Sequence, residues 1–117
     1  MSVKKSHEID ATIVKEGIGV SKKVLISLED APNFAMRCFT IQPGGRMPYH
    51  TNMVEHEQYV LGGHAKIGIG EEIFEVQKGD VVFIPSKIPH WYENIGTEPF
   101  EFLYLVPNKE DQTTLLE

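Results

Sequence analysis

The sequence predicts an all-β domain, an antiparallel barrel or a two-sheet sandwich, and three observations carry that prediction. Turn-forming residues recur about every eight to twelve positions along the chain, the spacing of short-stranded sandwiches and barrels. The segments between them are short and rich in Val, Ile, Phe and Tyr, which suit a pleated, half-buried surface. No long stretch shows helical periodicity with caps at both ends.

In chain order the strand segments are KVLIS from Lys23, NFAMRCFTI from Asn33, HEQYVLG from His56, AKIGI from Ala65, EIFEV from Glu72, DVVFI from Asp80 and FEFLYLV from Phe100. The corners between them are Asp30-Ala31-Pro32-Asn33, Pro43-Gly44-Gly45, Gly62-Gly63, Gly70-Glu71, Lys78-Gly79-Asp80, Ile84-Pro85-Ser86 and Asn94-Ile95-Gly96. Each holds residues that turns demand for a fixed φ or for self-capping. The tail NKEDQTTLLE, within residues 107–117, is expected to form a short helix or to fray. With no repeat and no linker, residues 1–117 read as one domain.

Hydrophobic content of 41% and charged content of 24% place the chain among ordinary globular proteins, not disordered or fibrous ones. Lys and Arg number 11 against 17 Asp and Glu, for a net charge of −6, which argues against a surface that tracks phosphates; no nucleic-acid partner is expected. No apolar run approaches the roughly 20 residues of a membrane span, and the start MSVKKSHEID lacks an apolar leader. The single cysteine, Cys38, cannot form an intramolecular disulfide and reads as a small buried hydrophobe. The expected address is cytoplasmic, with no membrane partner.

The chemistry concentrates in YHTNMVEHE, residues 49 to 57. His50 and Asn52 stand two apart, so on a strand both point to one face. His56 opens the next segment and His90 arrives from far downstream in KIPHWYEN, so four groups from three segments can meet. His7 and His64 lie outside this constellation and read as ordinary surface or core residues. No phosphate loop, dinucleotide fingerprint or nucleophile elbow competes with it.

The spacing sharpens the reading. From Gly44 there are five residues to His50, one to Asn52, three to His56 and six to Gly63, which resembles the first cupin motif, G(X)5HXH(X)3,4E(X)6G. From Gly79 there are five to Pro85, four more to His90 and three to Asn94, which resembles the second motif, G(X)5PXG(X)2H(X)3N. The motif regions are thus 44–63 and 79–94, and EHE followed by QYVLGG resembles small single-domain cupins that hold manganese or another divalent metal with four histidines. The resemblance implies a double-stranded, jelly-roll-like β-barrel with His50, His56 and His90 as ligands of one divalent transition metal. Manganese or iron is the first expectation, with nickel, zinc or copper as alternatives. His56 stands where many cupins place glutamate; counting forward with the longer spacer selects Glu57 instead, and imidazole is preferred as the better ligand for such metals.

Asn52 departs from the motif's second histidine. Its carbonyl oxygen is a hard, weak donor that can coordinate, hold a metal-bound water, or stand aside, and each outcome leaves an open site. Three imidazoles and a carboxamide are neutral, so a bound divalent ion would draw in an anionic or chelating molecule. Three-histidine iron cupins work this way, so the resemblance implies a dioxygenase-like oxidoreductase with a small-molecule substrate. Gln58 and Tyr92 share the faces of His56 and His90 and are the residues expected to orient the reacting group. Two alternatives remain open: a non-catalytic cupin that binds a small molecule as sensor or carrier, for which Asn52 is the strongest argument, and a metal-dependent isomerase or hydrolase.

Four further points stay open at this level. Phe102 and Tyr104 either close the cavity or pack the core, and neither phase of NFAMRCFTI is decisive, since Arg37 and Phe39 share one face while Met36 and Cys38 share the other. Glu55 and Glu57 either orient a ligand histidine or are solvated. Because exposed sheet edges are commonly covered by a second copy, a homodimer is expected, with the strand-like SVKKSHEI of residues 1–20 pairing across it.

Overall fold

The computed structural model describes residues Met1–Glu117 and is built almost wholly of antiparallel strands. They are β1 (Thr12–Ile13), β2 (Ile18–Ile26), β3 (Phe34–Thr51), β4 (His56–Gly62), β5 (His64–Ile69), β6 (Glu72–Gln77), β7 (Val81–Ile84), β8 (His90–Asn94), β9 (Phe100–Pro107) and β10 (Thr114–Leu115). The sheet runs β6-β5-β8-β3-β9-β4-β7 and curls on itself, with β2 added to β3 and with β6 and β7 as its two ends. No helix is long and apolar enough to cross a membrane.

All seven expected strands form, and the departures from expectation have local causes. Pro43-Gly44-Gly45 does not end a strand: β3 runs through it for 18 residues. It is a bend, at which β3 stops pairing with β9 and begins pairing with β8. Gly44 has φ +79, and a Cβ at Gly45 would stand 2.6 Å from the Ile18 carbonyl, so two glycines let the strand turn from one wall of the barrel into the other without breaking. The segment HWYEN forms β8, although proline-rich and turn-rich neighbours hide it from pattern reading.

Both termini depart from expectation as well. SVKKSHEI is not a strand; Ser6–Glu8 forms a single 3-10 turn, held to β2 by Lys23 Nζ donating to the Ser6 carbonyl. The tail is neither helix nor frayed end. Thr114–Leu115 pairs with Thr51 and His50 of β3, which lays residues 111–117 beside the first motif.

The interior holds one cluster of buried apolar residues, centred on Phe100, Phe102, Ile41, Ile67, Val60 and Ile84. Phe102 sits amid aromatic rings, stacked 5.2 Å from Tyr92 and 5.5 Å from both Phe39 and Phe100. The open phase of β3 is thereby settled: Phe39 faces the interior and Arg37 with it, while Met36 and Cys38 face outward. Cys38 is nonetheless covered, and burial raises its thiol pKa, so it is a packed hydrophobe and not a nucleophile.

Gly63 joins β4, in one wall, to β5, in the other. It has φ +85, and a Cβ there would stand 2.5 Å from the Pro99 carbonyl oxygen and 2.6 Å from Phe100 Cα. Gly63→Ala combines left-handed strain with a backbone clash and is expected to cost about 2 to 3 kcal/mol in urea denaturation. An unchanged midpoint would show that the crossover can move aside.

Candidate metal centre

The ladder between β3 and β8 pairs His50 with His90, so the two imidazoles stand side by side, ring centroids 4.1 Å apart. Both are buried, at 4% and 1% exposure. His50 Nδ1–H donates to the Pro48 carbonyl at 2.7 Å and His90 Nδ1–H to the Ile88 carbonyl at 2.9 Å. Each bond fixes the tautomer and leaves Nε2 unprotonated, the form a metal ligand needs. His90 Nε2 is buried and has no partner at all.

His56 faces these two from β4. Its ring centroid lies 6.1 Å from that of His90 and 5.2 Å from that of Tyr104. The three imidazoles line one pocket of about 100 Å³ together with Asn52, Gln58 and Tyr92. The sequence-predicted residues are therefore brought together, but the rings do not close on one point: no set of three His, Cys, Asp or Glu side chains stands at metal-holding geometry. His56, tilted 35° against the Tyr104 ring, stands farther from His90 than His50 does.

Asn52 has a double task. Its Nδ2 donates to Thr113 Oγ1 of the tail at 2.9 Å, while its Oδ1 is buried without a partner. The amide thus turns its donor toward the tail and leaves its acceptor unspent. Gln58 reaches across the interior to β8, its Nε2 donating to the Tyr92 hydroxyl oxygen at 2.5 Å, and its Oε1 is likewise unpartnered. Buried acceptors without partners are costly and uncommon. Three of them in one small pocket, His90 Nε2, Asn52 Oδ1 and Gln58 Oε1, fit a site built for a cation and its ligands.

Burial keeps these groups in the protonation states that fit such a site. Desolvation holds His56 at about 4 and His90 at about 3, and it lowers His50 as well, despite the opposing Pro48 hydrogen bond. All three are neutral at pH 7. Burial also raises Tyr92 above the ordinary phenol range and pushes Tyr104 up to about 12, so both hydroxyls stay protonated.

Unfolded imidazoles titrate near about 6.5, so between that pH and about 4 the unfolded chain binds protons that the folded chain refuses. The three histidines therefore favour the metal-free fold above about pH 7 and withdraw that stability as the pH falls through the window, outweighing the single exposed Glu57 carboxyl, which its hydrogen bond with Glu55 raises to about 7 and which acts in the opposite sense. Thermal melts of chelator-treated protein should show a midpoint at pH 5 at least about 5 °C below that at pH 7.5. A flat profile would mean that the histidines are not desolvated.

Some residues that line the pocket are ones that sequence pattern misses. Asp111 Oδ1 accepts the Met53 and Val54 backbone N–H groups at 2.7 and 3.3 Å, and Thr113 lines the pocket beside Asn52. Nothing in NKEDQTTLLE signals this, because docking of a polar tail leaves no periodicity. Arg37 and Lys22 also line the pocket, and strand phase alone held the clue to Arg37. Asn94, the last residue of the second motif, is a clasp: its Nδ2 donates to the Ile41 and Glu98 carbonyls, and its Oδ1 accepts Gly96 N–H. Glu55, Glu57, His7 and His64 are exposed, outside the pocket. Wider grooves of about 550 and 490 Å³ lie on the open faces around β6, β7 and β9, but buried polar groups converge only in the small pocket.

A family model described as "Cupin domain" matches residues 37–106, a span that begins within β3, ends within β9 and holds every histidine of the pocket. The chain is a cupin. It is 32% identical over 113 residues to an uncharacterized protein of Methanocaldococcus jannaschii, covering 92% of this chain and 84% of that one. Among solved structures, the polyketide cyclase RemF of Streptomyces resistomycificus is 26% identical with a TM-score of 0.91, covering 100% of this cupin and 86% of RemF. A structure of Bacillus subtilis oxalate decarboxylase, an enzyme with Mn(II) centres, is 25% identical with a TM-score of 0.74. That match covers 84% of this cupin but only 28% of the decarboxylase chain, so the cupin corresponds to less than a third of that enzyme.

Proposed function

We propose that this cupin is a metal-dependent enzyme that carries out dioxygenase-like oxidation of a small anionic or chelating molecule. The observation that supports it is the charge state of the donor set: three desolvated imidazoles, all neutral at pH 7, beside the neutral carbonyl of Asn52. His50, His56 and His90 would hold one divalent ion, manganese or iron, with Asn52 Oδ1 at hand; the Mn(II) centres of the decarboxylase relative favour manganese. When bound, the ion would supply Lewis acidity and one-electron redox capacity. No carboxylate among those donors cancels its charge, so an anionic ligand is favoured.

The remaining work falls to this chain's own residues. Because Gln58 Nε2 donates to the Tyr92 oxygen, the Tyr92 proton is free to be donated elsewhere, and Gln58 Oε1 is free to accept. The pair offers one donor and one acceptor at fixed positions, which orients a bound molecule. Tyr92, held protonated by burial, acts as a hydrogen-bond donor and not as a base. The tail over the first motif helps to exclude bulk water.

A non-oxidative reaction at the same centre is the second reading, favoured by the likeness to a polyketide cyclase and to an oxalate decarboxylase. An oxygen electrode separates them. Manganese- or iron-reconstituted protein is given a panel of small 2-oxo acids, 1,3-diketones and thiols while product and oxygen are followed together. Oxygen consumed in step with product is the expected result. Turnover without oxygen uptake would replace oxidation by the second reading, and tight binding without turnover would make the chain a sensor or carrier.

A further inference from the structure

One charged side chain in the pocket is not needed to hold a metal. Arg37 lies on β3 opposite Tyr104 of β9, inside the pocket that the three histidines line. Its Nε is buried with no hydrogen-bond partner, and no carboxylate stands within ion-pair distance of it. Its Cζ is 6.0 Å from the centroid of the Tyr104 ring, and that ring is 5.2 Å from the ring of His56. One aromatic ring thus separates the guanidinium from the metal centre.

The Tyr104 hydroxyl faces the Arg37 side chain, but no carboxylate forms an ion pair with it. Lys22 of β2 lines the same pocket, its pKa lowered first by burial and then by the charge of Arg37. Two carboxylates also line it. Asp111 is engaged with the Met53 and Val54 N–H groups, and Glu16 acts on Lys22, whose pKa it raises. Holding a partly buried guanidinium without a counter-ion is unfavourable in a protein that has nothing to put there. A planar fork of N–H donors matches a carboxylate in two parallel hydrogen bonds.

We propose that Arg37, with Lys22 beside it, anchors a carboxylate of the substrate, so that the molecule is a short-chain diacid or keto acid whose other oxygens face His50, His56 and His90. This rests on the metal-centre reading above and narrows it. The pocket of about 100 Å³ holds about three waters at about 30 Å³ each, which suits three or four carbons and not a long chain.

The test uses malonate and monomethyl malonate, which differ by one carboxylate, in calorimetric titrations of the full chain, with manganese content measured on the same samples by elemental mass spectrometry. Wild-type protein is expected to bind malonate at least about tenfold tighter than the ester. Arg37→Met is expected to bring the two within about twofold of each other with manganese content unchanged. Arg37→Gln, which keeps a polar head in the buried position, gives the same loss should Arg37→Met fail to fold. A preference that survives in either folded variant overturns the proposal, as does a variant that loses its manganese, since Arg37 would then be structural. Manganese bound without any preference in wild-type protein overturns the anchor and leaves the metal centre standing. No manganese, but an Arg37-dependent preference, overturns the metal centre and leaves the anchor. Neither manganese nor preference overturns both.

Discussion

In His90→Ala, manganese retained after dialysis is expected to fall from near one per chain to less than about a tenth of that, because a three-imidazole set with one member missing would have lost a third of its nitrogen donors. His90 is the residue on which this effect should be largest. It is 1% exposed, its Nε2 has no protein partner, and its Nδ1 is fixed by Ile88, so its free nitrogen has no competing bond to give up. The cost to the metal-free fold is expected to be small, about 1 to 2 kcal/mol, since the substitution removes an unpartnered polar atom along with ring contacts to His50 and Tyr92. Elemental mass spectrometry beside urea denaturation of chelator-treated protein reads both quantities. Full metal retention in a folded His90→Ala protein would remove His90 from the ligand set. A collapse of the metal-free fold would make it a core residue first.

Deleting residues 109–117 is expected to destabilise the protein by about 3 to 5 kcal/mol and to weaken metal retention with it. The deletion removes the Asp111 bonds to Met53 and Val54 N–H and the Thr113 acceptor for Asn52. It also removes the Glu117 ion pair with Arg46 at 2.7 Å, the Glu117 bond to Tyr49 N–H, and the β10 ladder. The ion pair, half-exposed, contributes little; the bonds to buried or strand-edge N–H groups carry most of the effect. Asn52 would then be released, with Nδ2 and Oδ1 both unpartnered. Urea denaturation and the rate of manganese loss to a chelator check the two halves. An unchanged rate would mean that the tail braces the fold without guarding the pocket.

The asparagine that interrupts the first motif takes its meaning from this arrangement. A histidine at position 52 would offer another imidazole but no amide donor for Thr113. Asn52 ties down the tail with one end and presents an unspent carbonyl oxygen to the pocket with the other. Of the three roles open to that oxygen from sequence, none requires the tail, so sequence reasoning had no way to reach the strut.

Much of the site was legible before any coordinates. Alternation placed His50 with Asn52, His56 with Gln58 and His90 with Tyr92, and all six line one pocket. Motif spacing worked because the residues it names are held by local geometry: a strand fixes which side chains share a face, and glycines such as Gly63 mark turns that few other residues can make. The long β3 was not legible, because Pro43-Gly44-Gly45 has the composition of a turn, and only the neighbouring strands show that it bends without breaking.

By itself, then, the sequence determined the all-β architecture and the strand faces, since each depends on period-two alternation and turn chemistry between near neighbours, while the histidine set came from the resemblance to the cupin motifs. Tertiary structure alone decided which way β3 turns Arg37, what Gln58 bonds to, and where the tail lies. Those depend on contacts between residues 34 to 71 positions apart, such as Gln58 with Tyr92, Asn52 with Thr113 and Arg46 with Glu117. The free energy of such contacts comes from burial and from hydrogen bonds completed across the barrel, and no local pattern in the chain records it.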